Sequence, residues 1–413
     1  MSFFYSVGIV MYGLLARLSA LFNGKASLWV KGRKDQFIRL EEAFGKIRIE
    51  KPGKNLAWFH CASLGEFEQG RPLIEAFKLK HPEYLILLTF FSPSGYELRK
   101  NYKGADLIFY LPLDTAGNAR KFLEIVKPDI VFFIKYEFWF NYLRLLQKNK
   151  TPHYLVSAIF RADQHFFKWY GDWPRSILKG FTHIFVQNDY SKELLEFVGI
   201  DHVTISGDTR FDRVSEIAAQ KKEFPLVRKF TEGIVTIVAG STWPADEELL
   251  VKFMNENPVS CKLIIAPHEI HEEDIIALDG KFGSMAIRYS QAEKSDMSTY
   301  RVLIIDSVGM LSQLYRYGQI AYIGGGFGSG IHNTLEAAVY GMPVIFGPVH
   351  HKFQEANDLV ELKGAFVIHN YSGLEKQLRR FNQDPELLAD TSLVCSHYVS
   401  SRIGATGRIL EGI

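Results

Sequence analysis

An alternation of short apolar runs with amphipathic stretches constrains the fold of this chain more than any other feature of its sequence. The runs are rich in β-branched and aromatic residues, and helical patterns separate them. Such runs are typical of buried parallel strands in repeated β-α units. The first series consists of NLAWFHCA, YLILLTF, DLIFYLP, DIVFFI, HYLVSAI, HIFVQN and HVTISG.

The alternation breaks after Gly207 and then resumes, which predicts two domains. Residues 215–232 are polar and contain Pro225, a composition that favours a linker. A second series follows, with GIVTIVAGS, CKLIIAP, RVLIID, QIAYIGGG, MPVIFGP and GAFVI. The sequence therefore predicts an α/β protein with two doubly wound, Rossmann-like domains facing a cleft. We place these domains at residues 23–222 and 223–413, with the last helix a candidate to cross back.

Composition narrows the function classes. Of the 413 residues, 47% are hydrophobic and 23% are charged, which is typical of globular proteins. The net charge of +2 argues against a dedicated nucleic-acid binder, because such proteins usually carry a larger basic excess. The cysteines, Cys61, Cys261 and Cys395, are far apart, which argues against a disulfide framework and favours the reducing cytosol.

Residues 1–22 form a separate apolar segment. Residues 2–16 carry no charge, but the stretch is short for a membrane-spanning helix, which needs about 20 apolar residues. The stretch from Arg17 to Arg39 contains six basic residues and a single acidic residue, Asp35. An apolar helix followed by basic residues predicts a membrane-anchor helix whose downstream body stays cytoplasmic. The alternative is a buried helix docked on the domain.

The turn after the first predicted strand carries a candidate catalytic carboxylate. The strand ends near Ser63, and a helix is expected to begin near Glu66. The charged form of a carboxylate is stabilised at a helix N-terminus, where Glu66 could accept a proton from an incoming hydroxyl. The spacing Ser63-x-x-Glu66 equally matches a capping box, which is the more frequent arrangement.

A glycine-rich loop at Gly324–Gly330 follows a strand of the second series and leads into a predicted helix. Its spacing matches neither the dinucleotide-binding fingerprint nor the P-loop. Its glycines allow close approach of a ligand to backbone N–H groups, although tight packing is an alternative. Asn333 and Glu336 are three residues apart and share one helix face, where Glu336 could accept both hydroxyls of a ribose. For His332, hydrogen bonding is favoured over metal ligation.

The sequence argues against a metal site. It contains no Asp-x-Asp pair, and oxygen-ligand metal sites need clustered carboxylates. Asp246, Glu247 and Glu248 are consecutive, which on a helix predicts a solvated acidic first turn. We therefore expect neither a metal nor another cofactor.

Together these turns resemble, in order and over nearly the whole chain, the Kdo (3-deoxy-D-manno-octulosonic acid) transferases of lipid A biosynthesis. These are inverting glycosyltransferases of the two-domain GT-B type. HCASLGE is similar to the family segment H-x-A-S-L-G-E, KYEFWFNYL to E-T-E-L-W-P-N, and GDTRFD to G-N-L-K-F-D. AGSTWPADEE and DSVGMLSQLY resemble A-x-S-T-x-x-x-E-E and D-T-x-G-E-L. The glycine loop with HNTLEAAVYGMPVIFGP resembles the family's G-G-H-N-x-L-E-P-A segment and its continuation.

The resemblance implies roles for individual residues. Glu66 matches the general base, Glu137 the second Glu of E-T-E, and Arg210 a Lys; the latter two are expected to support the transition state. The segments that bind CMP fall on Pro267, His268, Val308, Gly309, Met310, Asn333, Thr334, Leu335 and Glu336. The chain departs from the family pattern at Lys135, Phe140 and Met310, and its P-H-E-I-H segment lacks the Arg of P-R-H-P-E-R.

The implied function is transfer of Kdo from CMP-Kdo to a tetraacyl lipid A precursor (lipid IVA) in assembly of the lipopolysaccharide core. The implied location is the cytoplasmic face of the inner membrane, where the N-terminus anchors the enzyme. One alternative keeps the fold but uses a UDP-sugar on another membrane lipid. Another is a non-catalytic two-domain binding protein.

Overall fold

The computed structural model describes residues 2–220, 222–257 and 261–413, with only the helical backbone of Ser2 and Phe3 included. The chain forms two compact units. The first contains residues 1–213 and 404–413, and the second contains residues 214–403. The division therefore falls earlier than the predicted boundary at residues 222–223, and the last helix belongs to the first unit.

The first unit is built on a seven-stranded parallel sheet with strand order β3-β2-β1-β4-β5-β6-β7. Its strands are β1 Asn55–Cys61, β2 Tyr84–Phe90, β3 Leu107–Tyr110, β4 Ile130–Ile134, β5 His153–Ala158, β6 His183–Val186 and β7 Val203–Ile205. Its helices are α1 Ser2–Ser19, α2 Gly24–Gly32, α3 Gln36–Glu50, α4 Leu64–Lys80, α5 Pro93–Arg99, α6 Ala116–Val126, α7 Phe140–Lys148, α8 Asp172–Leu178, α9 Asp189–Phe197 and α10 Thr209–Ala219. Helix α10 continues into the second unit.

The second unit repeats this architecture with strand order β10-β11-β9-β8-β12-β13-β14. Its strands are β8 Thr236–Thr242, β9 Lys262–Pro267, β10 Ala286–Arg288, β11 Val302–Ile304, β12 Ile320–Ile323, β13 Val344–Phe346 and β14 Ala365–Val367. Its helices are α11 Pro225–Thr231, α12 Pro244–Glu256, α13 Glu272–Phe282, α14 Leu311–Leu314, α15 Leu335–Ala338, α16 Gln354–Glu361, α17 Tyr371–Gln383 and α18 Pro385–Ser400. Helix α19 (Ala405–Glu411) returns to the first unit.

Every apolar run of both predicted series forms a strand, so the prediction of two Rossmann-like α/β domains is confirmed. The sequence analysis missed β10, because its three residues, AIR, are too short to show a pattern. Each sheet reverses its strand order near its centre, between β1 and β4 in the first unit and between β8 and β12 in the second. In the second sheet β11 also lies between β9 and β10, so the order changes once more at that edge. Ligands of such sheets bind at the carboxyl ends of the strands beside the central reversal.

The segment predicted as a linker, residues 215–232, is largely helical. Helix α10 ends at Ala219, and α11 begins at Pro225. Phe224, Val227 and Phe230 are buried in the second unit, which explains the difference. Helix α11 has only seven residues, and polar residues surround these apolar positions. The helical periodicity of the apolar residues was therefore not recognised in the sequence.

Helix α1 packs one face against the first unit. The Tyr5 hydroxyl donates to Asp114 Oδ2 at 2.6 Å, and the Tyr12 ring lies 5.9 Å from that of Trp29. The opposite face keeps large apolar side chains exposed: Phe4, Val7, Val10, Met11, Leu14, Leu15 and Leu18. Helix α1 is thus docked without being buried. Among the residues that the structure covers, no helix has the length and apolarity needed to cross a membrane.

Helix α19 completes the core of the first unit. Ile409 is fully buried there. The backbone N–H groups of Gly404 and Thr406 both donate to the Asp212 carboxylate at 2.6 Å. Arg408 Nε donates to the carbonyl of Ser206 at 2.8 Å, which fixes the helix beside the end of β7.

Candidate active site

The two predicted catalytic carboxylates follow the neighbouring strands at which the first sheet reverses. Glu66 lies in the first turn of α4, directly after β1, and Glu137 follows β4. The two strands pair in parallel, with His60 opposite Phe133. Their carboxyl ends therefore meet at one edge of the sheet, and the two carboxylates follow from it.

Glu66 is held by the residue that caps its helix. Ser63 has an extended backbone, and its Oγ accepts the Gly65 N–H at 3.2 Å. The Ser63 hydroxyl also donates to Glu66 Oε2. In a capping box the carboxylate would instead bond the backbone N–H of the cap residue. The Glu66 side chain is partly exposed, so an incoming hydroxyl can reach it.

Glu137 is buried in a small polar cluster. Trp139 Nε1 donates to Glu137 Oε2 at 2.6 Å, and His60 Nε2 lies 3.2 Å from the same oxygen. His60 is fully buried, and its Nδ1 lies 2.9 Å from the hydroxyl of Thr89 on β2. The sequence analysis did not single out His60 or Trp139, although a histidine within an apolar strand was a usable signal. The cluster fixes the orientation of the Glu137 carboxylate.

The pKa shifts of Cys61 and Tyr136 indicate which of the predicted catalytic residues lie near them. Burial, and then the negative charges of Glu66 and Glu137, raise the pKa of the Cys61 thiol at the end of β1. Burial also raises the pKa of Tyr136. The charge of Arg210 opposes that second shift, and the charge of Glu66 adds to it. The Glu66 charge therefore acts on both Cys61 and Tyr136, the Glu137 charge on Cys61 and the Arg210 charge on Tyr136.

Arg210 is positioned by a buried carboxylate. Its Nε donates to Asp208 Oδ2 at 2.8 Å, and its backbone N–H donates to Oδ1 at 2.9 Å. Gln69 Nε2, on α4, donates to the same Asp208 Oδ1 at 2.9 Å. Burial alone would raise the pKa of Asp208, but the charge and hydrogen bonds of Arg210 hold it below its usual value. The Asp208 side chain of this ion pair is buried, whereas the Arg210 side chain is 30% exposed.

Strained backbone marks the carboxyl ends of three strands. Lys135 after β4, Ser157 in β5 and Ser241 in β8 have φ values of 71°, 53° and 53°. Residues with side chains rarely adopt this left-handed region, and such strain often occurs at functional sites. The Ser157 hydroxyl lies 3.1 Å from that of Thr209, the first residue of α10. Strain therefore occurs next to the segment that carries Arg210.

In the second unit, an aromatic stack follows the ends of β8 and β9. The ring of His268 lies 4.6 Å from that of Trp243 and 4.4 Å from that of His332, and both pairs are stacked. Trp243 Nε1 donates to His332 Nε2 at 3.3 Å, which confirms the predicted hydrogen-bonding role of His332. Burial, and then the charge of His268, lowers the pKa of His332. Pro267 is the last residue of β9, and the next residue, His268, is the central ring of this stack.

The glycine loop is fixed mainly by its own packing. A side chain at Gly324 would collide with the backbone of Ser241, 2.2 Å away. Gly325 has a φ of +90°, and its N–H donates to Asp246 Oδ2 at 2.8 Å. The N–H groups of Gly328 and Gly330 donate to the Gly325 carbonyl. For these positions tight packing, the alternative, explains the glycines, and these N–H groups do not point at a ligand.

Asp246 holds this loop, and the prediction of a solvated acidic turn at residues 246–248 is wrong for two of its members. Asp246 and Glu247 are buried, while Glu248 is exposed. Asp246 Oδ1 accepts the Tyr322 hydroxyl at 2.7 Å, and Oδ2 accepts the Trp243 N–H at 3.0 Å. The Asp246 carboxylate also accepts the Gly325 N–H. Asp246 therefore links the start of α12 to β12 and to the glycine loop.

Asp246→Asn is expected to lower the free energy of unfolding by about 1–3 kcal/mol, because one buried N–H or O–H group then loses its acceptor. Chemical denaturation of the two proteins measures the difference. Asp390→Asn, an exposed carboxylate in the same unit, is the matched control and is expected to unfold like the wild type. Equal stability of the Asp246 variant would contradict this role.

The predicted nucleotide-binding residues at the start of α15 lie together. Asn333 Oδ1 accepts the Leu335 N–H at 3.0 Å, and Asn333 Nδ2 donates to Glu336 Oε1 at 3.2 Å. Leu335 and Thr334 are fully buried, and the Thr334 hydroxyl has no hydrogen-bond partner among the described residues. Asn333 and Glu336 are partly exposed.

The segment Val308–Met310 approaches the same end of the sheet from β11. Val308 is 89% exposed, and Gly309 adopts a φ of +86°. Met310 precedes α14, which leads to the buried Tyr315. Burial, and then the negative charge of Glu336, raises the pKa of the Tyr315 hydroxyl. Glu336 therefore lies near Tyr315 within the second unit.

Across residues 2–220, 222–257 and 261–413, no three His, Cys, Asp or Glu side chains are grouped so that they could hold a metal ion.

Comparison with known proteins assigns the family. A family model described as 3-Deoxy-D-manno-octulosonic-acid transferase (kdotransferase) matches residues 38–213. A 3-deoxy-D-manno-octulosonic acid transferase of Aquifex aeolicus is 31% identical over 350 residues, which cover 83% of this chain and 90% of the relative. The chain belongs to the Kdo transferase family. A Kdo transferase of Rickettsia bellii is 25% identical over 345 residues, with 81% of each chain covered.

Solved structures support the fold of this Kdo transferase. The UDP-GlcNAc 2-epimerase of Neisseria meningitidis, bound to UDP-GlcNAc, superposes with a TM-score of 0.59. It is 16% identical and covers 87% of this chain and 99% of its own. At that identity the likeness shows a shared fold of two Rossmann-like units and nothing about substrate. As a member of the Kdo transferase family, the chain is a glycosyltransferase.

Proposed function

We propose that this enzyme transfers Kdo from CMP-Kdo to a lipid A precursor, lipid IVA, in assembly of the lipopolysaccharide core. The observation that carries the proposal is the convergence of Glu66 and Glu137 where the first sheet reverses, in a chain 31% identical to a Kdo transferase. Membership of the family shows that the chain is a Kdo transferase. The proposal concerns its substrates, with CMP-Kdo as the donor and lipid IVA as the acceptor.

Glu66 is the proposed general base. Its carboxylate takes the proton of an acceptor sugar hydroxyl, and the oxygen attacks the anomeric carbon of Kdo. The bond from that carbon to the CMP phosphate oxygen breaks, and CMP leaves with the electron pair. The configuration at the anomeric carbon is inverted. The Ser63 hydroxyl keeps the Glu66 carboxylate oriented.

Glu137 and Arg210 support the same step in different ways. Glu137 is rigidly held by Trp139 and His60, so its negative charge has a fixed position. Arg210 supplies a guanidinium for the charge that develops on the donor, and we assign this role to Arg210 in place of a metal ion. Because Asp208 binds one edge of the guanidinium, it holds the side chain in place.

The nucleotide half of the donor is assigned to the second unit. Asn333 and Glu336 present polar groups at the start of α15 for the ribose. Two further segments follow strands of the same sheet: Pro267 and His268 lie at the end of β9, and Val308, Gly309 and Met310 lie in the loop after β11. Thr334 and Leu335 contribute through their backbone, because both side chains are buried.

Incubation of the purified enzyme with lipid IVA and either CMP-Kdo or UDP-sugars tests the substrates. Mass spectrometry of the lipid is expected to show added Kdo with CMP-Kdo only. Turnover only with a UDP-sugar would end the CMP-Kdo proposal in favour of a different donor. An unaltered lipid with every activated donor would favour a binding protein without catalytic activity.

Glu336→Ala is expected to raise the KM for CMP-Kdo about 10–100-fold, because a hydrogen bond to a charged group contributes about 1.5–3 kcal/mol. Titration with CMP alone should show a similar loss of affinity. Glu361→Ala, an exposed carboxylate at the end of α16, is the control in the same unit. Unchanged CMP affinity in the Glu336 variant would contradict the assignment.

We further propose that α1 holds the enzyme on the cytoplasmic face of the inner membrane. Leu14, Leu15 and Leu18 are 52%, 61% and 61% exposed on its outer face. An amphipathic helix with an exposed apolar face and nearby basic residues binds a membrane interface without crossing it. Arg17 lies on the same helix between these leucines.

Replacing Leu14, Leu15 and Leu18 by Gln is expected to lower membrane partitioning at least about tenfold, because burying one leucine side chain contributes about 1.5–3 kcal/mol. Sedimentation with membranes measures the effect. The control replaces three apolar residues that are even more exposed elsewhere on the first unit: Ile49, Leu79 and Phe197. Continued sedimentation of the α1 variant would contradict the anchor.

A further inference from the structure

Lys135, Tyr136 and Arg161 form a group of hydrogen-bond donors at the edge of the first sheet where Glu66 lies. Lys135 and Tyr136 directly follow β4, and Arg161 follows shortly after β5. Strand β4 pairs in parallel with β1 on one side and with β5 on the other. The carboxyl ends of these strands meet at one edge, so the three residues, which we call the donor group, share that edge with Glu66.

Lys135 combines a strained backbone with a partly buried charge. Its φ is 71°, and its N–H donates to the Val156 carbonyl of β5 at 2.8 Å. Glycine adopts this conformation at little cost, and strain of this kind is retained mainly where a site needs it. Within the described part of the chain, the partly buried Lys135 ammonium forms no ion pair with a carboxylate. Such an ammonium is stabilised by an anion that binds from outside.

Tyr136 lies near two cations. The Lys135 ammonium is 5.3 Å from the Tyr136 ring centroid, and the Arg161 guanidinium carbon is 6.0 Å from it. Arg161 Nη1 donates to the Tyr136 hydroxyl at 3.5 Å, which leaves the hydroxyl hydrogen for a further acceptor. None of the residues that the structure describes accepts that hydrogen. Burial raises the pKa of Tyr136, so the hydroxyl remains a donor at neutral pH.

Arg161 is held only weakly by the protein. Its Nε lies 3.8 Å from Asp163 Oδ1, and the two side chains are 61% and 79% exposed. Exposed pairs of this kind contribute little to stability, whereas charge-assisted hydrogen bonds to a ligand anion are short and strong. A guanidinium also carries five N–H donors in a planar fork that matches the oxygens of phosphate and carboxylate. Arg161 can therefore bind an anion and keep its contact with Tyr136.

We propose that the donor group binds a phosphate or a carboxylate of a substrate that reacts at Glu66. Such an anion would accept from the Lys135 ammonium, the Tyr136 hydroxyl and the Arg161 guanidinium, and it would offset the repulsion between the two cations. The charges of Glu66 and Arg210 both act on Tyr136, so the donor group lies near the candidate base.

The proposal rests on the proposed function for the identity of the substrates, and it adds a set of residues that the family resemblance does not supply. The family segment E-T-E-L-W-P-N has a glutamate where this chain has Lys135. The charge at this position is therefore opposite, which makes the anion site a property of this chain. Kdo is an acid and lipid IVA carries phosphate, so each proposed substrate offers a suitable group.

Thermal unfolding with inorganic phosphate tests the site without any turnover. Phosphate at about ten times its dissociation constant shifts the folding equilibrium about tenfold, which raises Tm by roughly 3–5 °C for a unit of this size. The reference is chloride at the same ionic strength. Lys135→Gln/Arg161→Gln is expected to lose most of this shift, and Tyr136→Phe, which removes only the hydroxyl, is expected to lose part of it. An equal phosphate shift in the wild type and the double variant would overturn the site.

The control is Arg120→Gln/Lys148→Gln, which removes the same charge from exposed positions on α6 and α7 of the same unit. It should keep the wild-type phosphate shift. An equal loss in the control would also overturn the site, because the effect would then be general electrostatic attraction. Lys135→Arg/Arg161→Lys keeps both charges and is expected to retain most of the shift, which excludes misfolding as the cause of the loss.

Steady-state kinetics separates the two sources of the anion. In Lys135→Gln/Arg161→Gln, KM is expected to rise about 10–100-fold for one substrate only, the usual contribution of a hydrogen bond to a charged group. A rise for lipid IVA assigns the site to a phosphate of the acceptor, and a rise for CMP-Kdo assigns it to the carboxylate of the donor sugar. Unchanged KM values for both would overturn the substrate role. Absence of turnover in the wild type would contradict the proposed function instead, while the phosphate shift would still decide the anion site.

Discussion

Glu66→Gln is expected to lower turnover about 10²–10⁴-fold, the usual contribution of a general base, while the protein folds normally. Gln keeps the shape of the side chain and an oxygen that can accept the Ser63 hydroxyl. It cannot take a proton from the acceptor hydroxyl. CMP binding should be retained, because the assigned nucleotide contacts lie in the other unit. Single-turnover assays with CMP-Kdo and lipid IVA measure the rate.

The control is Glu75→Gln, which makes the same substitution further along α4. Glu75 accepts from Arg71 and Tyr102, and it lies away from the strand ends. Its turnover should be close to that of the wild type. If Glu66→Gln turned over at the wild-type rate, the base would lie elsewhere, and Glu137 would be the next candidate. Unfolding of Glu66→Gln would show a structural role instead.

Removing the guanidinium of Arg210 is expected to lower turnover about 10²–10³-fold, as for other groups that stabilise charge in a transition state. The simple variant Arg210→Ala mixes two effects. It leaves the buried Asp208 without its cation, which by itself destabilises a protein by about 3–5 kcal/mol. The double variant Asp208→Asn/Arg210→Ala removes both charges and separates lost folding from lost chemistry.

Circular dichroism and steady-state kinetics of the double variant decide the question. Arg228→Ala removes a 73% exposed arginine from a surface ion pair and serves as the control. A folded double variant with near-normal turnover would leave Arg210 as a structural partner of Asp208 only. Arg210→Lys keeps the charge but loses the planar two-point contact, so an intermediate rate is expected.

Most of the fold could be predicted from the sequence because most of the strands are buried along nearly their whole length. Parallel strands covered on both faces form continuous apolar runs, which stand out without an alignment. The strand order cannot be obtained in the same way, since any run could pair with several others. The position of Glu137 beside Glu66 therefore became visible only once β4 was seen to pair with β1.

Residues that act through tertiary contacts were missed or misjudged. His60 reaches Glu137 from β1 and Trp139 reaches it from two residues further along the chain, and the motif segments that contain them do not by themselves show these contacts. Asp246 was predicted to be exposed because its sequence neighbours are acidic. Its carboxylate oxygens instead accept hydrogen bonds from Tyr322 on β12 and from Gly325 in the glycine loop. Local patterns predict which strand end carries a side chain, but not which distant backbone it meets.

The return of α19 to the first unit has a consequence for the order in which the molecule is made. Ile409, Thr406 and Arg408 complete that unit, yet they are synthesised after the whole of the second unit. Domains usually fold during synthesis from the N-terminus onward, but here the first unit lacks α19 until the second unit has been synthesised. A nascent chain stalled before Gly404 would leave Asp212 without the two N–H donors of that segment. Interrupted translation products should therefore be recognisable to cellular proteases, even when the second unit has already folded.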